Sequence, residues 1–200
     1  MRTPDGHAPT VAIAGAGIGG LCAALSLLQR GIDVEVYEQA DSLRELGAGL
    51  LISMNAMRVL TALGLESAAR SIDLPADDRV VRLWNTGATK SVYQTRSDTQ
   101  QNHAVCMLHR AELQRILADA ALRIKPDLIH FGARVLGAKN TDAGAELLLE
   151  GGASATADIV LGADGVHSMV RSSLYGQAAA RYTGSVAWRG LVPIERLTPS

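Results

Sequence analysis

Cysteine is nearly absent: Cys22 and Cys106 are the only two in 200 residues, far apart and in apolar surroundings. Neither a disulfide framework nor a Cys-x-x-Cys metal site can be built from them, and both read as reduced thiols serving as small hydrophobic side chains. Aromatic residues make up only 4% of the chain while Ala and Gly are abundant, a composition that suits helices packed closely on a sheet better than an aromatic-lined binding face. There is no excess of basic charge. The 19 Lys and Arg residues are matched by 20 Asp and Glu and spread along the chain, with a pI near 6.5, so no cationic face is available to displace counterions from a nucleic acid. No nucleic-acid partner is expected. No apolar run approaches the roughly 18 residues of a membrane span, and the polar start MRTPDGHAPT lacks the apolar segment of a secretory signal. The expectation is a cytoplasmic globular protein without membrane attachment. His103, His109, His130 and His167 show no metal-ligand spacing, so no metal site is expected either.

Against these absences stands a clear local pattern at the start of the chain. Thr10 to Ala14 is a short β-branched and apolar run without alternation, as expected of a parallel strand covered on both faces. After a Gly-rich turn, Leu21, Ala24, Leu25 and Leu28 recur at helical spacing between Ile18 and Arg30, and Gly31 stands where a helix C-terminal glycine belongs. Asp33 to Tyr37 reads as a second strand. The first 38 residues therefore predict one β-α-β unit with two neighbouring parallel strands.

The turn inside that unit carries chemistry. Gly15, Gly17 and Gly20 supply G-x-G-x-x-G between a predicted strand and a predicted helix. The first glycine permits the tight turn, the second lets backbone approach a pyrophosphate, and the third lets helix and strand pack closely. A diphosphate placed there meets the unpaired N–H groups and positive dipole end of the helix. Glu38 ends the second strand, where a carboxylate can accept hydrogen bonds from a ribose hydroxyl. The same charge argues against a 2′-phosphorylated nucleotide at this position.

Further along, Met57, Leu60 and Leu63 share a helix face, and VVRLW (80–84) and TKSVY (89–93) join through Asn85-Thr86-Gly87 as an antiparallel hairpin with Trp84 in its core. A helix is predicted from Arg110 to Arg123, with Leu113, Ile116, Leu117, Ala120 and Ala121 on one side. Strands are predicted at Leu128 to Phe131, Arg134 to Ala138 and Ala145 to Leu149, the last two antiparallel. An apolar strand from Ala157 to Leu161 ends at Gly162-Ala163-Asp164-Gly165, and another strand begins at Ser185 and runs to Val192.

The motif alone does not separate FAD from NAD. Gly47-Ala48-Gly49, Asn55-Ala56, Arg58-Val59-Leu60, Leu108-His109-Arg110 before Leu113, and Gly162-Ala163-Asp164-Gly165-Val166-His167-Ser168 with Val170-Arg171 are the residues that extend it. In order and spacing they resemble the FAD-dependent aromatic-ring monooxygenases typified by p-hydroxybenzoate hydroxylase. Tyr182-Thr183-Gly184 and the segment Val186 to Val192 look closest to the salicylate-hydroxylase-like branch. The match covers nearly the whole chain, and GADG-x-x-S-x-V-R is its most specific part.

The resemblance implies an α/β fold, a Rossmann-like FAD-binding domain interrupted by parts of an antiparallel substrate-binding sheet. Residues 1–75 and 106–182 would form the FAD-binding domain, 76–105 a substrate-domain hairpin, and 183–200 the start of the substrate-binding sheet. It also implies roles: Gly15, Gly17 and Gly20 at the FAD diphosphate, Glu38 on the adenosine ribose, Arg110 at the ribityl-diphosphate region, backbone near Val135 facing the adenine, and Asp164-Gly165 in a motif implicated in both FAD and NAD(P)H interaction. On the residues alone, Arg110 can also be read as a helix-start surface charge, Val135 most easily as a core strand residue, and Asp164 as the cap of a helix beginning near His167. The implied partners are a small aromatic substrate, O2 and NAD(P)H. No covalent nucleophile is required, so no catalytic residue is assigned. Family members are about twice this length, and the chain is expected to be an N-terminal portion that alone binds FAD weakly or not at all and does not hydroxylate. An FAD-dependent epoxidase or reductase of the same fold, and a non-catalytic nucleotide-binding fragment, are the alternative readings.

Overall fold

The computed structural model describes residues 6, 8–43, 49–74, 78–94, 106–179, 181–186 and 194–196. In chain order the elements are β1 (Thr10–Ala14), α1 (Ile18–Leu28), β2 (Asp33–Tyr37), β3 (Gly49–Ile52), α2 (Met54–Ala62), α3 (Glu66–Ser71), β4 (Asp78–Arg82) and β5 (Thr89–Gln94). They continue with β6 (Cys106–His109), α4 (Arg110–Ile124), β7 (Ile129–His130), β8 (Val135–Thr141), β9 (Gly144–Leu149), β10 (Ser154–Ala157), β11 (Ile159–Gly162) and α5 (Met169–Tyr175). Contacts divide the chain into two units, Met1–Glu45 with Gln114–Ser200 and Leu46–Leu113.

The first unit is built on a parallel sheet of order β11-β1-β2-β7. β1 lies between β2, with Ile13 opposite Val36, and β11, with Ile13 opposite Leu161. The predicted β-α-β unit is present, with both strands beginning and ending at the expected residues. α1 buries Leu21, Ala24 and Leu25, the same stripe that the periodicity marks. A three-stranded antiparallel meander, β10-β9-β8, forms a further layer. Ala12 and Ala14 of β1, Val135 and Ala138 of β8, Leu147 of β9 and Val170 of α5 pack into one buried cluster. Small side chains on β1 let the meander and α5 come close to the sheet, so the alanine-rich composition reappears here as dense packing.

β7 is shorter than the expected Leu128 to Phe131 and β8 runs on past Ala138 to Thr141, and the chain departs further from expectation in this unit in two places. β10 was not expected, because Ser154 to Ala157 alternates only small side chains and has a single β-branched residue, Thr156; its hydrogen-bonding to β9, with Ala155 opposite Leu147, makes it a strand. β11 accordingly starts at Ile159 rather than Ala157. Ser185 and Val186 are not in a strand, and the remainder of the segment predicted to Val192, including Trp188, lies outside the described residues. So do His103 and Gly47-Ala48.

In the second unit β3 pairs antiparallel with β6, Gly49 facing His109 and Ile52 facing Cys106. Met57, Leu60 and Leu63 are buried, and α2 packs against β3. The N–H of Met107 donates to Asp73 Oδ1 at 2.8 Å, fixing the end of the helical segment to β6. β4 and β5 form the predicted hairpin, closed by Gly87 N–H to Leu83 O at 2.9 Å and Leu83 N–H to Ala88 O at 2.9 Å. Trp84 is not its core: the side chain is 97% exposed. β4 ends at Arg82, which places Trp84 in the turn, where it has no cross-strand neighbour to pack against. Neither cysteine is in a disulfide; Cys106 is buried on β6, and burial pushes the Cys22 thiol up from its ordinary pKa.

Candidate nucleotide-binding site

In a parallel sheet ligands bind beyond the C-terminal ends of the strands. β1, β2 and β11 end at Ala14, Tyr37 and Gly162, and three loops leave from there. Gly15 turns the chain out of β1 with φ +99°, and its N–H donates to Tyr37 O at 2.8 Å. The β11 loop is tied in by Ala163 N–H to Ala14 O at 2.8 Å. The two loops touch backbone to backbone: a Cβ on Gly15 would lie 2.7 Å from Ala163 O and 3.2 Å from the Cα of Asp164. A Cβ on Gly20 would lie only 1.9 Å from Gly15 O. Gly15 and Gly20 are thus small because protein backbone fills the space.

Gly17 is small for a different reason. It is the N-cap of α1, extended at φ −69° and ψ 175°, and among the described residues nothing lies within 4 Å of where its Cβ would be. No side chain caps this helix, and its first turn holds no acidic residue. Among the described residues none offers an acceptor to the N–H groups of Gly17, Ile18, Gly19 or Gly20. An uncapped helix start with open space before it is a place for an anion.

Glu38 lies half-buried across the turn. Its Oε2 accepts from Ala16 N–H at 2.8 Å and its Oε1 from Ala40 N–H at 2.9 Å. A carboxylate has about four acceptor positions, so two remain for hydroxyl donors. Glu38 backbone is held by N–H to His130 O and by Ala133 N–H to Glu38 O, both at 2.9 Å. β2 is braced nearby: Lys125 binds Asp33 at 2.8 Å and also pairs with Glu35, which pairs with His130, and the His130 ring stacks on Tyr37 at 4.8 Å. Burial works against the charge of Lys125, but the bonds from Asp33 and Glu35 outweigh it and hold the lysine above its ordinary range. Burial, and after it the Glu35 charge, pushes the Tyr37 phenol up.

The carboxylate of Asp164 is turned to α5. Its Oδ1 accepts from Ser168 Oγ at 2.6 Å, its Oδ2 from the N–H groups of Met169 and Val170 at 2.7 and 3.1 Å, and Ser168 Oγ accepts from Arg171 N–H at 2.9 Å. Helix capping is therefore its present occupation, and at the neighbouring Gly165 nothing among the described residues lies within 4 Å of a Cβ. Val135 is a buried strand residue opposite Leu149, and its side chain belongs to the core cluster; only its backbone, two residues beyond the Ala133 that binds Glu38, is left to face a ligand. Arg110 opens α4 directly after β6 and belongs to the second unit.

One residue of the site is absent from the sequence reading. Gln114 Nε2 donates to Ala16 O at 2.8 Å, so α4 reaches the Gly-rich turn. No motif announces it: a glutamine following Leu113 on a helix looks like any solvent-facing side chain until its partner, 98 residues away, is known.

The residues present fit a dinucleotide: open N–H groups for a diphosphate, a half-buried carboxylate with spare acceptor positions for a ribose. Residues 8–194 match the family model described as FAD binding domain. The chain belongs to the FAD binding domain family. A 3-amino-4-hydroxybenzoate 2-monooxygenase of Streptomyces cremeus is 37% identical over 185 residues, covering 92% of this chain and 46% of that protein. A 6-hydroxynicotinate 3-monooxygenase of Pseudomonas fluorescens is 34% identical over 191 residues, covering 94% of this chain and 48% of that protein. The chain thus spans about half the length of the curated relatives it matches. Among solved structures, a tetrameric 2-methyl-3-hydroxypyridine-5-carboxylic acid oxygenase superposes with a TM-score of 0.71 at 28% identity, over 85% of this chain and 43% of that one. HpxO of Klebsiella pneumoniae, solved with FAD and uric acid, superposes with a TM-score of 0.67 at 28% identity, over 82% and 41% of the respective chains. Among the described residues no helix is long and apolar enough to cross a membrane.

Proposed function

We propose that this chain is the FAD-binding part of a monooxygenase that uses NAD(P)H and O2 to hydroxylate a small, salicylate-like aromatic acid. The observation that carries the reading is the uncapped, open start of α1 with Glu38 beside it, in a chain whose relatives are named as monooxygenases of 3-amino-4-hydroxybenzoate and 6-hydroxynicotinate. Bound FAD would supply the redox chemistry, taking two electrons from NAD(P)H and activating O2. The chain's own residues bind and orient. In this reading the N–H groups from Gly17 to Gly20 donate to the diphosphate, while Gly15 and Gly20 keep the turn tight against β11 and α1. Glu38 accepts from the ribose, backbone near Val135 faces the adenine, and Arg110 reaches the ribityl-diphosphate region. Asp164 sets the loop that carries Gly165 by capping α5. Residues 76–105 and 183–200 contribute to a substrate-binding sheet, and the protein works in the cytoplasm.

The protein expressed at the full length of its gene is expected to carry FAD, visible as flavin absorbance, and to form hydroxylated product in step with NAD(P)H oxidation on a panel of hydroxylated aromatic acids. Absence of bound flavin would remove the cofactor reading. Flavin-bound protein that reduces or epoxidises without hydroxylating would remove the reaction. Glu38→Ala is expected to weaken FAD binding by ~1–3 kcal/mol, the range for a charge-assisted hydrogen bond in a half-buried site. A titration that gives the wild-type dissociation constant would return Glu38 to a purely structural role on Ala16.

A further inference from the structure

We propose that Gln114 is a positioning residue for the FAD diphosphate: from α4 it fixes the Ala16–Gly17 peptide so that the Gly17 N–H is presented to the ligand. The inference rests on the FAD reading above. Ala16 is wholly buried, so both of its backbone polar groups must find partners inside the protein. Both partners are side chains. The N–H donates to Glu38 Oε2 and the carbonyl accepts from Gln114 Nε2, each at 2.8 Å, across sequence separations of 22 and 98 residues.

A turn flanked by Gly15 and Gly17 resists peptide rotation poorly, because neither glycine has a Cβ to restrict it. Side chains brought from elsewhere in the fold supply the missing restraint. The peptide between Ala16 and Gly17 is trans, so its N–H points opposite to its carbonyl. With the carbonyl held by Gln114, the Gly17 N–H faces away from Gln114, and among the described residues it has no acceptor of its own. The bond therefore does more than satisfy a buried oxygen. If the donor is removed, the carbonyl gains by turning outward, and the turn then presents oxygen instead of N–H to an anion. Glu38 limits the other end of Ala16 only, leaving Gln114 as the restraint on the plane that faces the diphosphate.

A purely structural role would weaken every ligand of the site alike, whereas a diphosphate-positioning role acts only on ligands that carry one. Gln114→Met keeps the length and apolar body of the side chain and removes the donor; Gln114→Glu keeps the shape and replaces the donor with an ionised acceptor. With the protein at the full length of its gene, calorimetric titration with FAD, ADP and adenosine reads the difference. FAD and ADP are expected to lose about tenfold in affinity in Gln114→Met and more in Gln114→Glu, while adenosine changes by less than about twofold. Equal losses for ADP and adenosine, or no loss for either, overturn the proposal. Should both variants unfold, wild-type protein decides by NMR: ADP, unlike adenosine, moves the Gly17 amide proton downfield while the Gln114 side-chain amide stays slow to exchange, and a Gly17 amide indifferent to ADP overturns the proposal. Wild-type protein that binds ADP but not FAD removes the FAD reading and leaves Gln114 judged on ADP; protein that binds neither overturns both.

Discussion

Gly17→Val is expected to abolish FAD binding while leaving the apoprotein folded and close to wild-type stability. Gly17 adopts φ −69° and ψ 175°, an extended conformation that valine takes without strain. Among the described residues nothing lies within 4 Å of its Cβ position for the new side chain to strike. Losing glycine at an N-cap to a β-branched residue costs at most about 1 kcal/mol. For the ligand the balance is reversed. In the proposed reading the diphosphate comes within hydrogen-bonding distance of the Gly17 to Gly20 N–H groups here, and two methyl groups in that space deny it several charge-assisted bonds together. A loss of ~3 kcal/mol or more, over a hundredfold in affinity, follows. Flavin absorbance of the purified variant and its circular-dichroism melting curve are the two measurements. Flavin retained at wild-type stoichiometry would show that the diphosphate lies elsewhere.

The contrast between local and long-range signals explains how far the sequence could be read. β1 and β2 were placed to the residue and α4 to within one, Arg123 against Ile124, because each is a self-contained pattern of apolar spacing. Gly15, Gly17, Gly20 and Glu38 come together beyond the strand ends because β-α-β handedness leaves little choice. What escaped was set by strand pairing, turn register and, for Gln114, a partner 98 residues away. β10 exists through its pairing with β9. Trp84 is exposed because the hairpin closes one residue after β4 ends at Arg82, a matter of turn register that hydrophobicity does not report. Glu38 looked like a ribose ligand and is also the acceptor for Ala16 N–H, so its carboxylate shapes the turn before any ligand arrives. In Asp164, capping and nucleotide contact could both be read from GADG followed by a helix; the structure shows the capping, with both carboxylate oxygens engaged on α5.

Gly20→Ala, three residues from Gly17, is expected to fail in the opposite manner, by damaging the fold itself. Gly20 lies in the first turn of α1, where propensity alone favours alanine over glycine by up to about 1 kcal/mol. Geometry overrides that gain. The new Cβ would sit 1.9 Å from the Gly15 carbonyl oxygen and 3.4 Å from the Ala163 side chain. The first of these is backbone of the turn and cannot swing aside as the end of a flexible side chain would. Relief requires α1 to lift from the end of β1, where Leu21, Ala24 and Leu25 are buried, or the Gly15 turn to open and lose its bond to Tyr37 O. Either motion costs about 3 kcal/mol or more, the upper end for overpacking. A chain of this size shifts its melting temperature by roughly 2–4 °C per kcal/mol, so after the propensity gain a fall of at least ~4 °C is expected in the apoprotein, before FAD is considered. FAD binding should fall with it, since the same displacement moves the Gly17 to Gly20 N–H groups on which the proposed diphosphate contact depends. A melting temperature that stays level or rises would mean that helix and turn separate at little cost, and the close backbone contact between Gly15 and Gly20 would then not be what the third glycine of the motif protects.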